Sequence, residues 1–232
     1  MRAVRRLLLF GLFASLAGAS TLRAQKTFEG TISYALDMSG TPMQLTLSSR
    51  GKRVRQDMDI PGSNVVSRGT YQLIDYDKHS VITVVPAMKR YMVTDLALSR
   101  AQPDAARDSA REQVLASISA TGRQEDVAGV TCQVYVFKDR PGDEWCITSA
   151  LGHFLGLEGG SGTSPFGGGP GMAALMRNFR DGAVLLRMHT TGADGREITM
   201  VATKIERTAP PATNFSIPAG FEEMQNPMVP RP

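Results

Sequence analysis

Apolar and polar residues alternate with a period of two through most of this chain. In 28–36, FEGTISYAL, the even positions Phe28, Ile32, Tyr34 and Leu36 are apolar and most odd ones are small or polar, as in a strand with one face covered. The same alternation runs through 43–48 and returns in 54–58 after the turn Ser49-Arg50-Gly51-Lys52. Further short strands follow at 70–76, 81–85 and 90–96, separated by the polar turns Asp77-Lys78-His79 and Pro86-Ala87-Met88-Lys89. Short strands joined by short turns predict an antiparallel meander.

The period changes at 103–119. There Ala105, Ala106, Ala110, Val114, Leu115 and Ile118 recur at steps of three and four, Pro103 and Asp104 suit a first turn, and Gly122 lies beyond the end. This spacing predicts an amphipathic helix covering one sheet face. A second, shorter helix is expected over 172–179, with Met172, Leu175, Met176 and Phe179 on one side. The expected fold class is therefore α+β, mainly β: a strongly curved antiparallel sheet, an incomplete barrel, covered by one or two helices.

Between the helices lies a hairpin. Residues 130–138 are rich in β-branched and aromatic side chains, Arg140-Pro141-Gly142-Asp143 reads as a type II turn, and 144–148 resumes the β pattern. Cys132 and Cys146, the only cysteines, fall one on each arm, so a cross-strand disulfide is expected. Two separate buried thiols are the alternative. Leu151 begins a short apolar turn over 151–157, the glycine-dense segment 156–171 reads as a mobile surface loop, and strands are expected at 184–189 and 197–206. The apolar 215–221, FSIPAGF, is expected to pack on the sheet, with a frayed Pro-rich end.

The first residues bear on compartment. Arg2, Arg5 and Arg6 precede an apolar segment, and small residues follow at Ala17-Gly18-Ala19 and at Ala24, the three-part form of a secretory signal peptide over 1–24. Cleavage after Ala19 and cleavage after Ala24 both fit, and residues 25–232 are expected to form one domain. No cysteine stands near either position to take a lipid anchor, and no later stretch has the roughly 20 apolar residues of a spanning helix. The chain has 26 basic and 22 acidic residues, but Arg2, Arg5, Arg6 and Arg23 belong to the leader, so the remainder is balanced. Net charge gives no reason to expect a nucleic acid partner. The cluster Arg50, Lys52, Arg53 and Arg55 reads as a solvated hairpin edge. The expected location is periplasmic or secreted, where a disulfide persists.

Candidate chemistry is sparse. His79, His153 and His189 have no ligand spacing, no metal set is predicted, and Asp75 and Asp77 read as turn residues. The glycine-rich segment lacks the Lys-Ser/Thr ending of a phosphate loop, and its Gly159-Gly160-Ser161-Gly162-Thr163 run fails the nucleophile-elbow pattern because its last position is Thr163. No catalytic residue and no cofactor are predicted; an enzyme would need His153 or His189 to meet a carboxylate in a cleft. The twelve methionines are unusual. Scattered and unpaired with histidine, they form no copper(I) set, whereas methionine both fills irregular cores and lines adaptable apolar surfaces.

The opening FEGTISYAL, the strands around YQLIDYDKHSVITV and AMKRYMVTDL, the VAGVTCQVYVF segment followed by EWCITSALG, and the closing FSIPAGFEE together resemble bacterial exported proteins of domain-of-unknown-function family 4412. That family looks related to the periplasmic lipoprotein carriers LolA and LolB. The resemblance implies a curved half-barrel closed over an apolar cavity, with no catalytic residues to carry over. The expected function is non-enzymatic binding of an apolar or acyl-chain ligand, lined by Tyr34, Leu45, Leu47, Met58, Met92, Met188 and Met200. The other reading is a structural or docking module for an envelope protein partner.

Overall fold

The computed structural model describes residues 27–62, 68–96, 112, 116–154, 182–191 and 195–224. The predicted leader 1–24, the glycine-rich segment 156–171 and the short helix 172–179 lie outside them. The strands are β1 (Gly30–Met38), β2 (Thr41–Arg50), β3 (Arg53–Asp59), β4 (Tyr71–Asp75), β5 (Ser80–Val85), β6 (Arg90–Asp95), β7 (Ile118–Val127), β8 (Val130–Phe137), β9 (Arg140–Thr148), β10 (Val184–Thr191), β11 (Glu197–Glu206) and β12 (Glu222–Glu223). All twelve belong to one open, curved sheet in the order β12-β6-β5-β4-β3-β2-β1-β11-β10-β9-β8-β7. Two antiparallel meanders, β1–β6 and β7–β11, are thus joined where β1 pairs with β11. Only β12 runs parallel to its neighbour, β6.

Local sequence explains the turns. Ala128 and Gly129 between β7 and β8 both adopt positive φ, as do Ser39 and Gly40 between β1 and β2. This backbone twist matches that of the flanking strands in two-residue hairpins. The Asp37 carboxylate accepts the Gly40 amide at 2.6 Å and fixes the second of these turns.

Alternation sets the packed face. In β1, Ile32, Tyr34 and Leu36 are buried and their neighbours are only partly so; register places Leu47, Leu45 and Met43 of β2 opposite them. Met200 and Ala202 of β11 face Leu36 and Tyr34 from the other side. These residues and others from β8–β10 form the main core cluster. A smaller one, Val54, Ile74, Val81 and Leu96, sits at one end of β3–β5.

Among the described residues no helix covers the sheet, which corrects the expected α+β class to a nearly all-β one. Among the described residues of 103–119, Glu112, Ala116 and Ser117 are helical, but β7 begins at Ile118, and most of that predicted helix lies outside the described residues. At Ile118 the reason is tertiary. Ile118 pairs with Phe137, and the Lys138 amide donates to the Ser117 carbonyl at 2.9 Å, so long-range strand pairing overrides the local three-and-four spacing. Part of the cover comes instead from connecting segments: Phe28, Leu151 and Phe154 are buried in the core, with Phe28 and Phe154 edge-to-face at 5.6 Å. Gly152 and Gly182 make this possible, because a Cβ on Gly182 would fall 2.2 Å from the Gly152 carbonyl carbon.

One local expectation is also corrected, and another is extended. The turn before β9 is Lys138-Asp139, whereas Arg140-Pro141-Gly142-Asp143 lies within β9. Pro141 has no amide for the ladder, and the register jumps from the Phe137–Arg140 pair to the Val136–Glu144 pair, an irregularity that accommodates the three residues between. The cluster Arg50, Lys52, Arg53 and Arg55 does form a solvated hairpin edge, with the first three exposed and Arg55 half-buried, and two of its members also reach across the sheet. Arg50 donates to the Pro210 carbonyl at 2.9 Å and Arg55 to that of Asn214 at 3.4 Å, so the hairpin grips the chain after β11 as it crosses the sheet. That strap ends with Phe221 against Tyr71, Leu73, Ile82, Val84 and Tyr91, then with β12 on the sheet edge. The expected packing of 215–221 on the sheet is thus seen at Phe221.

Candidate functional site

Register gathers the seven expected ligand-lining residues on one face. Met188 pairs with Met200, which pairs with Leu36; Tyr34 pairs with Leu45, and Leu45 with Met58. One further row runs Ile32, Leu47, Gln56, Gln72, Thr83, Met92 across β1 to β6. Burial then divides the seven. Tyr34, Leu45, Leu47, Met188 and Met200 are at most 2% exposed and belong to the core, while Met58 and Met92 are only partly buried. The face is buried at β1, β2, β10 and β11; along β3–β6 Val54, Ile74 and Val81 are buried too, while Met58, Gln72, Thr83 and Met92 are only partly so.

Polar atoms on this face are unevenly satisfied. The Tyr34 hydroxyl donates to the Leu185 carbonyl at 2.9 Å, tying β1 to β10 across β11, and burial drives its phenol far above the usual range. In contrast Gln72 Oε1, Ser49 Oγ and Trp145 Nε1 are buried without a hydrogen-bond partner. Each such atom costs roughly 1–3 kcal/mol unless a partner arrives. Gln72 stands out because its cross-strand neighbours Gln56 and Thr83 are polar as well. Sequence reasoning missed it. The only signal is that both faces of 70–76 are half apolar, so Gln72 shares a face with the buried Ile74.

The opposite face carries an ionic lattice. Arg187 donates to both carboxylate oxygens of Glu125, at 2.8 and 3.0 Å, and to Glu144 at 3.1 Å; Arg123 meets Glu144 at 2.7 Å. The hydrogen bond from Arg123, aided by Arg187, holds the Glu144 carboxyl below its ordinary value. Glu125 is the cross-strand partner of Cys132 and Arg187 that of Cys146. The two cysteines are joined, as expected, with Cα atoms 5.4 Å apart and both residues buried. Two cations balance two carboxylates, so this lattice braces the hairpin and has no charge left over for a ligand.

The three histidines occupy different places. His79 sits in the β4–β5 turn, the His153 carbonyl accepts the Phe28 amide at 2.7 Å, and His189 Nδ1 lies 2.9 Å from the Gly142 carbonyl. Glu144, opposite His189, gives its carboxylate to the two arginines. Among the described residues no group of His, Cys, Asp or Glu has the arrangement of a metal site.

Two depressions lie away from the packed face. One of about 630 Å³ opens between the β1–β2 turn and the start of β11, lined by Asp37, Ser39, Gly40, Arg196 and Glu197. The other, of about 220 Å³, lies under the strap.

Solved structures similar to this chain include an uncharacterised conserved protein from Thermus thermophilus, at 10% identity and a TM-score of 0.48, covering 85% of this chain and 91% of that one. MucB, in complex with MucA(peri), is similar at 12% identity and a TM-score of 0.37, over 84% of this chain and 55% of MucB. A LolA superfamily protein from Nitrosomonas europaea is similar at 12% identity and a TM-score of 0.35, over 82% and 90%. No curated protein matches the sequence. A family model described as "Domain of unknown function (DUF4412)" matches residues 28–221.

Proposed function

The chain belongs to the domain-of-unknown-function family DUF4412, and from that premise we propose that it is an exported, non-enzymatic protein whose packed sheet face takes up an apolar, lipid-like chain. The observation that carries this reading is the partial exposure, on that face, of Met58, Gln72, Thr83 and Met92 along β3–β6. Met58 and Met92 are only partly buried there, around a row that holds the unpartnered acceptor Gln72 Oε1. Methionine is unbranched and polarisable, so it conforms to a flexible hydrocarbon at low cost. Tyr34, Leu45, Leu47, Met188 and Met200 then act as the rigid floor from which that region extends. The buried disulfide and the charge balance suit a protein working in the periplasm or outside the cell.

The test is native mass spectrometry on protein purified without harsh detergent, with displacement of a fluorescent fatty acid. A co-purifying lipid mass and saturable displacement, weakened in Met92→Glu, are expected. A bare protein mass together with no displacement would contradict the reading. A second reading, a docking module for an envelope protein, is favoured by β12, where two residues already add to the β6 edge in the way an extended partner segment adds to a sheet. Pull-down of one stoichiometric protein partner by a lipid-free chain would favour it.

A further inference from the structure

We propose that the cavity between the C-terminal strap and the β3–β5 region is a second binding site, for a small monocarboxylate with an apolar body. It lies on the sheet face opposite the one discussed above and does not depend on that reading. Its volume is about 220 Å³ and it is half open, below the roughly 300–1,000 Å³ of drug-sized sites, so its ligand is a single ring or short chain.

The charges point to an anion. Arg53 and Lys78 line the cavity together with one carboxylate, Asp75. Asp75 is already engaged by the turn: one of its oxygens accepts the amides of Asp77 and Lys78 at 3.1 and 3.0 Å, and the other lies 3.5 Å from Arg53 Nε. Asp77 is held by Lys52 at 2.7 Å. The terminal guanidinium nitrogens of Arg53 and the Lys78 ammonium therefore have no intramolecular partner among the described residues. Asp95 faces Ser80 across β5 and β6 and is not among the lining residues. Two cations against one carboxylate leave a single positive charge, which one carboxylate neutralises, and a guanidinium fork matches its planar shape.

The apolar body follows from the other wall. Ile82 comes from the sheet, and Phe215 and Ile217 from the strap, which Arg50 and Arg55 hold in place. A ligand seated there touches sheet and strap at once, so binding stabilises the strap.

The experiment is an amide NMR titration of the whole exported chain with benzoate, hexanoate, benzyl alcohol and inorganic phosphate. Benzoate or hexanoate is expected to shift the amides of Lys78 and Ser216 saturably, with benzyl alcohol and phosphate at least about tenfold weaker, the scale of one lost charge-assisted hydrogen bond. Arg53→Gln with Lys78→Gln should weaken benzoate by at least a similar factor; both side chains lie at the surface, and an unchanged remainder of the spectrum establishes folding. Phe215→Ala should weaken benzoate while leaving the preference for an anion. Equal binding of benzoate and benzyl alcohol, no saturable shift at these amides, or full affinity in the double variant would each overturn the proposal.

Discussion

Removing the disulfide should cost the protein about 3 kcal/mol. Cys132 and Cys146 are 14 residues apart in sequence. In the chain-entropy model, cross-linking a loop of about 15 residues removes close to 3 kcal/mol of freedom from the unfolded state at 25 °C. Both cysteines are buried, so Cys132→Ala with Cys146→Ala adds a small cavity cost in the same direction. Urea unfolding of the double variant against the oxidised parent, followed through buried Trp145, reads the difference. Since Cys132 is 2% exposed and Cys146 0%, a mild thiol reductant should leave the folded protein oxidised and act only as fast as it unfolds. A double variant within about 1 kcal/mol of the parent, or rapid reduction of the folded chain, would refute the reasoning.

Other expectations are narrower. Tyr34→Phe should lose about 1 kcal/mol by deleting the bond to Leu185. The buried Tyr34 phenol keeps its proton where the unfolded chain releases it, so stability should fall as pH rises through about 10, and Tyr34→Phe should flatten that slope in alkaline melts. Gly182→Ala should cost about 3 kcal/mol or more, because its Cβ would overlap the Gly152 backbone, whereas Gly40→Ala, with the same handedness but open space, should cost about 1 kcal/mol in thermal unfolding. Glu144 is held below its ordinary value by Arg123, so its contribution is present above about pH 4.3 and is lost as acid protonates it; Glu144→Gln should reduce the acid sensitivity of the melting temperature.

Period-two alternation carried most of the strand assignment, because burial of one face leaves its mark on every second residue: Ile32, Tyr34 and Leu36 read as they fold. Pairing between β1 and β11 was not legible, since it joins residues from Met38 with Ile198 to Thr31 with Glu206, far apart in sequence, and depends on how two meanders meet. The 103–119 expectation erred where a local helical spacing was broken by the Ile118–Phe137 pair. Arg50 and Arg55 read as solvated because their partners are backbone carbonyls, Pro210 and Asn214, and a carbonyl leaves no trace in side-chain chemistry. At the candidate site the methionines were visible as an excess, but nothing in the sequence separates the packed Met188 and Met200 from the looser Met58 and Met92. Gln72 was hidden for the same reason, an ordinary polar residue until its neighbours close around it.

The most direct measurement is a methyl-carbon spectrum of the protein labelled at methionine, recorded as a saturated fatty acid is added. Saturable shifts of the Met58 and Met92 methyls are expected, while Met188 and Met200, in the rigid floor, stay nearly still. Unmoved Met58 and Met92 signals at fatty acid levels that saturate a known carrier would contradict the proposed lipid uptake.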